Sequence, residues 1–319
     1  MTKKETALSG IVVNRRKSLK KRIIERWQLY LLLLVPLLFV LIFNYGPMAG
    51  LVIAFKKYTV KGGIFGSKWV GLANFKEFFT SYKFPIILKN TLTLSLYCLC
   101  VSFPIPILFA LLLNCLGGRG YKKIVQTVTY IPYFISTVVM VGLIFQILNN
   151  RSGLYGSLYT AITGQTAPNI LADGKLFKHI YVWSTVWQST GYSAIIYIAA
   201  LSGVDESLHE AALIDGASRW QRVIHIDIPA ILPTASIMLI LAVGNIMNVG
   251  LEKVLLMQNS LNLDYSEIIS TYVYKVGLAS GINNFSLSTA ISLFNSVVNF
   301  ILLVLANFTC KKLNGNGIF

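Results

Sequence analysis

Little in this chain can make or break a covalent bond. Its three histidines, His179, His209 and His225, have no partner at the His-x-x-x-His spacing that suits a metal. No Gly-x-x-x-x-Gly-Lys-Ser/Thr run occurs, so the chain lacks a cradle for nucleotide phosphates. No nucleophile stands at a suggestive spacing from a base. What recurs instead is neutral polar chemistry inside apolar stretches. Asn245, Asn248 and Glu252 fall at i, i+3 and i+7, and Ser288, Ser292, Asn295 and Asn299 at i, i+4, i+7 and i+11. On a helix each set occupies one face. Ser184 and Gln188 share another face, next to Trp183 and Trp187. Polar side chains are costly in lipid, so such faces turn inward. Two readings stay open. The amides and hydroxyls bond across helices, or they line a route for a solute. The second chemistry suits a sugar, whose hydroxyls need amide and hydroxyl partners and whose ring faces need aromatic cover. On that reading the lining residues are Trp187, Gln188, Asn245, Asn248, Asn295 and Asn299.

The elements that must position these residues are membrane-spanning helices. The 319 residues are 55% hydrophobic and 13% charged, against about 25% charged in a soluble domain. Mean hydropathy is +0.65. A spanning helix needs about 20 mostly apolar residues. Six stretches qualify, near 29–54, 88–114, 124–148, 180–203, 230–252 and 286–309. The sequence therefore predicts an all-α membrane protein, a bundle of about six transmembrane helices over 29–319 behind a basic tail over 1–28. The first apolar run is too long for a signal peptide, and no small-residue cleavage site follows it. The net charge of +16 sits mainly in tails and loops beside apolar spans. That placement favours anionic lipid headgroups as the partner, and no nucleic acid. Cys98, Cys100, Cys115 and Cys310 form no Cys-x-x-Cys pair and read as small buried hydrophobes.

One connecting stretch, 204–229, is unlike the others. It reads helix, Gly break, helix: Glu210-Ala211-Ala212, three residues to Gly216, nine to Ile226, then Ile228-Pro229. Ala211 and Ala212 favour helix, Gly216 permits a turn with positive φ, and Pro229 marks the next helix entry. Glu210 stands where it can bond backbone near a helix start. This stretch resembles the signature loop of ABC importer permeases, with Ile228 where Leu is usual. The segments Asn44-Tyr45-Gly46-Pro47-Met48, Gly66-Ser67-Lys68-Trp69-Val70-Gly71-Leu72 and Tyr130-Ile131-Pro132-Tyr133-Phe134-Ile135-Ser136 are similar to those of carbohydrate-importer permeases, in the branch for polysaccharide and complex-oligosaccharide uptake.

The resemblance implies a cytoplasmic coupling helix that docks on an ATPase subunit. Its residues would be Glu210, Ala211, Ala212, Asp215, Gly216, Ala217, Arg219, Ile226, Ile228 and Pro229. It implies a second homologous permease, two ATPase subunits that bind ATP and Mg, and an extracellular sugar-binding lipoprotein. This chain itself would hold no cofactor and no metal, and would not be an enzyme. The function implied is oligosaccharide import across the bacterial plasma membrane by alternating access. The alternatives are an ABC permease for a non-sugar solute such as a peptide, and a secondary transporter. A peptide or anion route would favour charged groups, whereas the stripes here are neutral. A secondary transporter would need an intramembrane ionisable couple.

Orientation follows from the same resemblance: the loop must meet an ATPase, so both termini are expected inside. Charge alone argues less clearly. The outer side then receives Lys56, Lys57, Lys61, Lys68, Lys76, Lys83 and Lys89 in its first loop, against the positive-inside tendency. Aromatics of that loop, Trp69, Phe75, Phe78 and Phe79, suit an interfacial belt or a docking surface. Ser266 to Leu278 has helical periodicity and is expected to form a lateral helix or a cap on the bundle.

Overall fold

The computed structural model describes residues 25–116, 118–279, 281, 283–315 and 317, so residues 1–24 of the expected basic tail lie outside the described residues. The chain divides after Val52 into an N-terminal unit and a packed unit from Ile53 onward. The first unit is mostly α1 (Trp27–Phe55), a 29-residue apolar run. Pro36 removes one backbone donor inside it. The helix then widens to a π-type turn over Leu41–Tyr45 and tightens to 3₁₀ geometry over Ala49–Phe55.

The second unit begins with a short antiparallel pair, β1 (Lys56–Lys57) and β2 (Lys68–Trp69), in register Lys56↔Trp69. Asn74 closes the base of this hairpin by donating to Ala54 O at 2.7 Å. Helix α2 (Ala73–Thr80) follows, and then α3 (Lys83–Ser102) runs into α4 (Pro104–Cys115). Pro104 opens α4, where its missing N–H costs least. Next come α5 (Arg119–Tyr130) and α6 (Thr137–Ile147), then α7 (Leu154–Thr163) and the 29-residue α8 (Gly174–Ser202). Helix α9 (Glu206–Ile214) precedes α10 (Arg219–Gly244). Short helices α11 (Leu251–Met257), α12 (Leu263–Ser266) and α13 (Ile269–Tyr274) lead to α14 (Phe285–Asn314).

Among the described residues, four helices are long and apolar enough to cross a membrane: α1, α3 with α4, α10 and α14. The α5–α6 pair adds a fifth only as a bent span. The expected count of six is thus not reached on length and composition. The expected third span, 124–148, is two helices bent by 99°. Pro132 stands in the first turn of the 3₁₀ segment Ile131–Phe134 at the break, and the Ser136 hydroxyl caps α6 by accepting from Val139 N. Helix α8 has the length but is interrupted by polar residues from Lys175 to Thr190, of which several hydroxyls bond back to their own helix. The expected fifth span, 230–252, stops at Gly244.

Helix α8 is the axis of the packed unit. With α3 and α11 it buries Leu94, Tyr181, Val182, Val186 and Val254, and with α4 and α10 it buries Ala110, Ala194, Tyr197 and Ile231. Gly191 lets α8 approach α5 closely, since a Cβ there would stand 2.2 Å from Thr129 O. A third core joins Ile87, Ile269, Leu287 and Ile291 to Phe78. Phe78 packs against Phe84 at 5.0 Å and Phe294 at 5.8 Å, so it is a core residue and not part of an interfacial belt. The expected lateral helix forms as α13 and a π-type turn over Lys275–Ala279, with Ile268 and Ile269 turned into the core. Of the cysteines only Cys310 is buried; Cys100 and Cys115 are exposed.

Candidate functional site

The loop between α8 and α10 is built by local rules. The Asp205 carboxylate accepts from Ser207 N at 3.0 Å and caps α9. That backbone bond holds the Asp205 carboxyl below the usual carboxylate range. Helix α9 therefore starts at Glu206, and Glu210 lies one turn inside it, not at its start. The helix closes in a Schellman motif: Gly216 N donates to Leu213 O at 3.1 Å and Ala217 N to Ala212 O at 2.8 Å. Gly216 has φ +75 with nothing within 4 Å of a built Cβ, so the turn needs glycine for its backbone conformation and not for space. Ser218 and Gln221 then form a reciprocal capping box, at 3.3 and 2.7 Å, that restarts the chain as α10.

The outward side of this loop is apolar and uncovered. Ile214 is 87% exposed and Trp220 73%, with Leu208 and Leu213 also exposed. Large apolar side chains grouped on a surface loop mark an interaction face. Its inward side is polar and tied. The buried Asp227 carboxylate lies 3.4 Å from His209 Nε2 and accepts from Asn114 Nδ2 at 3.2 Å. Asp227 sits in a π-type turn, Val223–Asp227, at the entry to the apolar part of α10, and Pro229 follows it. One carboxylate so joins α4, α9 and α10. Sequence reasoning passed over it, because His209 and Asp227 belong to no motif.

The second region is the end of α10. Asn245 leaves helical geometry, and residues 245–250 form a break before α11. The asparagines of that segment therefore do not share a helix face with Glu252. They meet α14 instead. Asn295 Nδ2 donates to Asn248 Oδ1 at 2.8 Å, and Asn299 Oδ1 accepts from the buried Met247 N at 3.0 Å. Asn248 in turn contacts Asn245 at 3.4 Å. Four of the six residues expected to line a route are thus brought together. Gln188 and Trp187 are elsewhere. Gln188 donates to Ile135 O at 2.9 Å, satisfying a carbonyl freed by the α5–α6 bend. Trp187 is 55% exposed.

A cavity of about 330 Å³ opens beside the break, between α3, α4, α8 and α10. Ser95, Ser102, Tyr181, Ser193, Tyr197, Asn245 and Asn248 supply its polar side chains, and no charged side chain lines it. Asn295 Oδ1, just behind, is buried with no hydrogen-bond partner among the described residues. The tyrosines were not foreseen, since a single tyrosine in an apolar helix carries the same signal as any core aromatic. Among the described residues no group of His, Cys, Asp and Glu is placed to hold a metal.

Residues 102–314 match the family described as the binding-protein-dependent transport system inner membrane component. The chain belongs to this family. It is 42% identical to protein LplB of Bacillus subtilis (strain 168) over 295 residues, 92% of each chain. It is also 42% identical to YteP of the same organism, a polygalacturonan/rhamnogalacturonan transport system permease protein, over 96% of this chain and 94% of that one. A solved bacterial ABC transporter that imports the acidic polysaccharide alginate is similar in structure, with a TM-score of 0.85 at 35% identity, covering 93% of this chain and 99% of its counterpart. That transporter has also been solved in complex with an alginate pentasaccharide-bound periplasmic protein. This permease is accordingly a multi-pass inner-membrane subunit of a transport system that depends on a binding protein. It is not itself an enzyme, and ATP hydrolysis lies in separate subunits.

Proposed function

We propose that this permease carries an oligosaccharide inward by alternating access, with both termini cytoplasmic. A second homologous permease, two ATPase subunits that hold ATP and Mg, and an extracellular sugar-binding lipoprotein complete the pump. The coupling face is the loop from Glu210 to Pro229, where Ile214 and Trp220 are ready to be covered by an ATPase. The observation that carries the substrate reading is the uncharged cavity at the break in α10. Its amides and hydroxyls match sugar hydroxyls, and Tyr181 and Tyr197 match sugar ring faces. Broken helices at membrane depth are tolerated where they line such a cavity. Closure of the ATPase pair would move α9, and Asp227 would pass that motion to α4 and α10. ATP-bound and ATP-free forms must then favour different cavity openings.

Asn245→Ala tests the reading. Loss of one amide contact is expected to weaken the apparent affinity for sugar by up to about tenfold. Uptake into proteoliposomes at varied sugar concentration measures it. An unchanged half-saturation, with normal assembly, would remove Asn245 from the route.

A further inference from the structure

At the end of the bundle where α3 and α8 begin, two lysines stand together with no acid beside them. Lys89 is exposed on α3. Lys178 is half-buried on α8 and donates to Thr93 Oγ1 of α3. The two ammoniums are within electrostatic reach of each other. Among the described residues no Asp or Glu oxygen comes within 4.0 Å of either. Other lysines at this end have their partners. Lys83 and Lys275 share Glu267, at 2.6 and 3.1 Å. Lys253 is 7% exposed and held inside, where it donates to Thr185 Oγ1 at 2.8 Å. Neighbouring like charges repel. A lone lysine at a span edge reaches water along its own stem. Lys178 does not, because its ammonium is kept against Thr93 beside a second cation.

The surface that runs inward from this pair changes character in order. The apolar stretches 88–114 and 180–203 begin beside Lys89 and Lys178, which puts both ammoniums at headgroup level. One turn further in, the Tyr97 hydroxyl and His179 Nδ1 meet at 3.0 Å across the same two helices. Lys89, Leu92, Thr93 and Leu96 fall at i, i+3, i+4 and i+7, one face of α3. Leu96 is 51% exposed on that face, and Trp183, one turn beyond His179 on α8, is 54% exposed. Cationic, then polar, then aliphatic and aromatic is the order of a phospholipid: phosphodiester, glycerol esters, acyl chains. A protein partner would have to carry a carboxylate to this depth, where a charge is costly. An anionic lipid already holds its charge there.

We infer that Lys89 and Lys178 bind the phosphodiester of an anionic phospholipid, whose acyl chains lie along Leu92, Leu96 and Trp183. This rests on the chain being a multi-pass membrane subunit. It depends neither on the cargo nor on which side the termini take.

The test uses the complete complex in vesicles of equal parts phosphatidylglycerol and phosphatidylcholine with the same acyl chains. A photo-crosslinking amino acid replaces Leu92, and adducts are identified by mass spectrometry. The unaltered lysines are expected to give phosphatidylglycerol adducts about thirtyfold in excess, about fivefold from each lysine. Lys89→Gln should cut that excess about fivefold; Lys89 is exposed, so the substitution leaves packing intact. Adding Lys178→Gln should abolish the excess, while Lys89→Arg keeps it. Equal yields from the two lipids with both lysines present would overturn the inference. So would an excess that Lys89→Gln leaves unchanged, or no lipid adduct at all. An adduct with the second permease in place of lipid would also overturn it, and would make this face a contact between subunits.

Discussion

Gly216→Val is expected to uncouple the permease while leaving it in the membrane. Gly216 holds φ +75 at the end of α9, a conformation that costs a side-chain-bearing residue about 1–2 kcal/mol, and a β-branched one at least as much. No atom stands within 4 Å of a Cβ there, so the substitution creates no clash and acts through the backbone alone. The two Schellman bonds, Gly216 N to Leu213 O and Ala217 N to Ala212 O, are lost when the turn resets. A penalty of that size shifts the docked loop conformation by a factor of about 5–30. Sugar-stimulated ATP turnover and uptake should fall together by that factor, with insertion and the core around α8 intact. Gly216→Asn should keep more activity, because Asn tolerates the left-handed region. Equal, normal coupling in both variants of an assembled complex would contradict the assignment.

The second large effect is expected from Asn299→Ala. Asn299 Oδ1 accepts from Met247 N, and Met247 is 1% exposed. Removing the acceptor strands a backbone donor in the break after α10. No water at membrane depth replaces the bond, and an unsatisfied buried donor costs about 1–3 kcal/mol. The purified complex should melt at a lower temperature, while any complex that survives keeps its sugar dependence. The contrast with Asn245→Ala separates a residue that supports the break from one that faces the cavity. Normal melting of Asn299→Ala with altered sugar dependence would reverse these roles.

These two residues also mark what sequence alone can reach. The helix–Gly–helix form of 206–222 was legible because its determinants are local: Ala propensity and a glycine at the C-terminus act within four residues, and the Ser218–Gln221 capping box that the structure adds at the restart is equally local. The helical class was equally legible from composition. The breaks were not. Nothing near Gly244 forbids helix, and α10 stops there because Asn245 to Gly250 finds partners on α14, as Asn248 does 47 positions away in Asn295. An asparagine stripe at helical spacing thus pointed to residues that do meet, through a geometry that is not a stripe. Asp227 and Lys253 were invisible for a related reason. A charge in a connecting segment reads as solvated until the fold buries it, and burial depends on helices distant in sequence.

The loop carrying Ile214 is expected to meet an ATPase on the cytoplasmic side, opposite the hairpin at Lys56 to Trp69. A photo-crosslinking amino acid placed at Ile214, and separately at the exposed Phe65 in that hairpin, tests it within the intact complex. An adduct with the ATPase subunit is expected from position 214 and none with it from position 65. An ATPase adduct from position 65, or a binding-protein adduct from position 214, would contradict it.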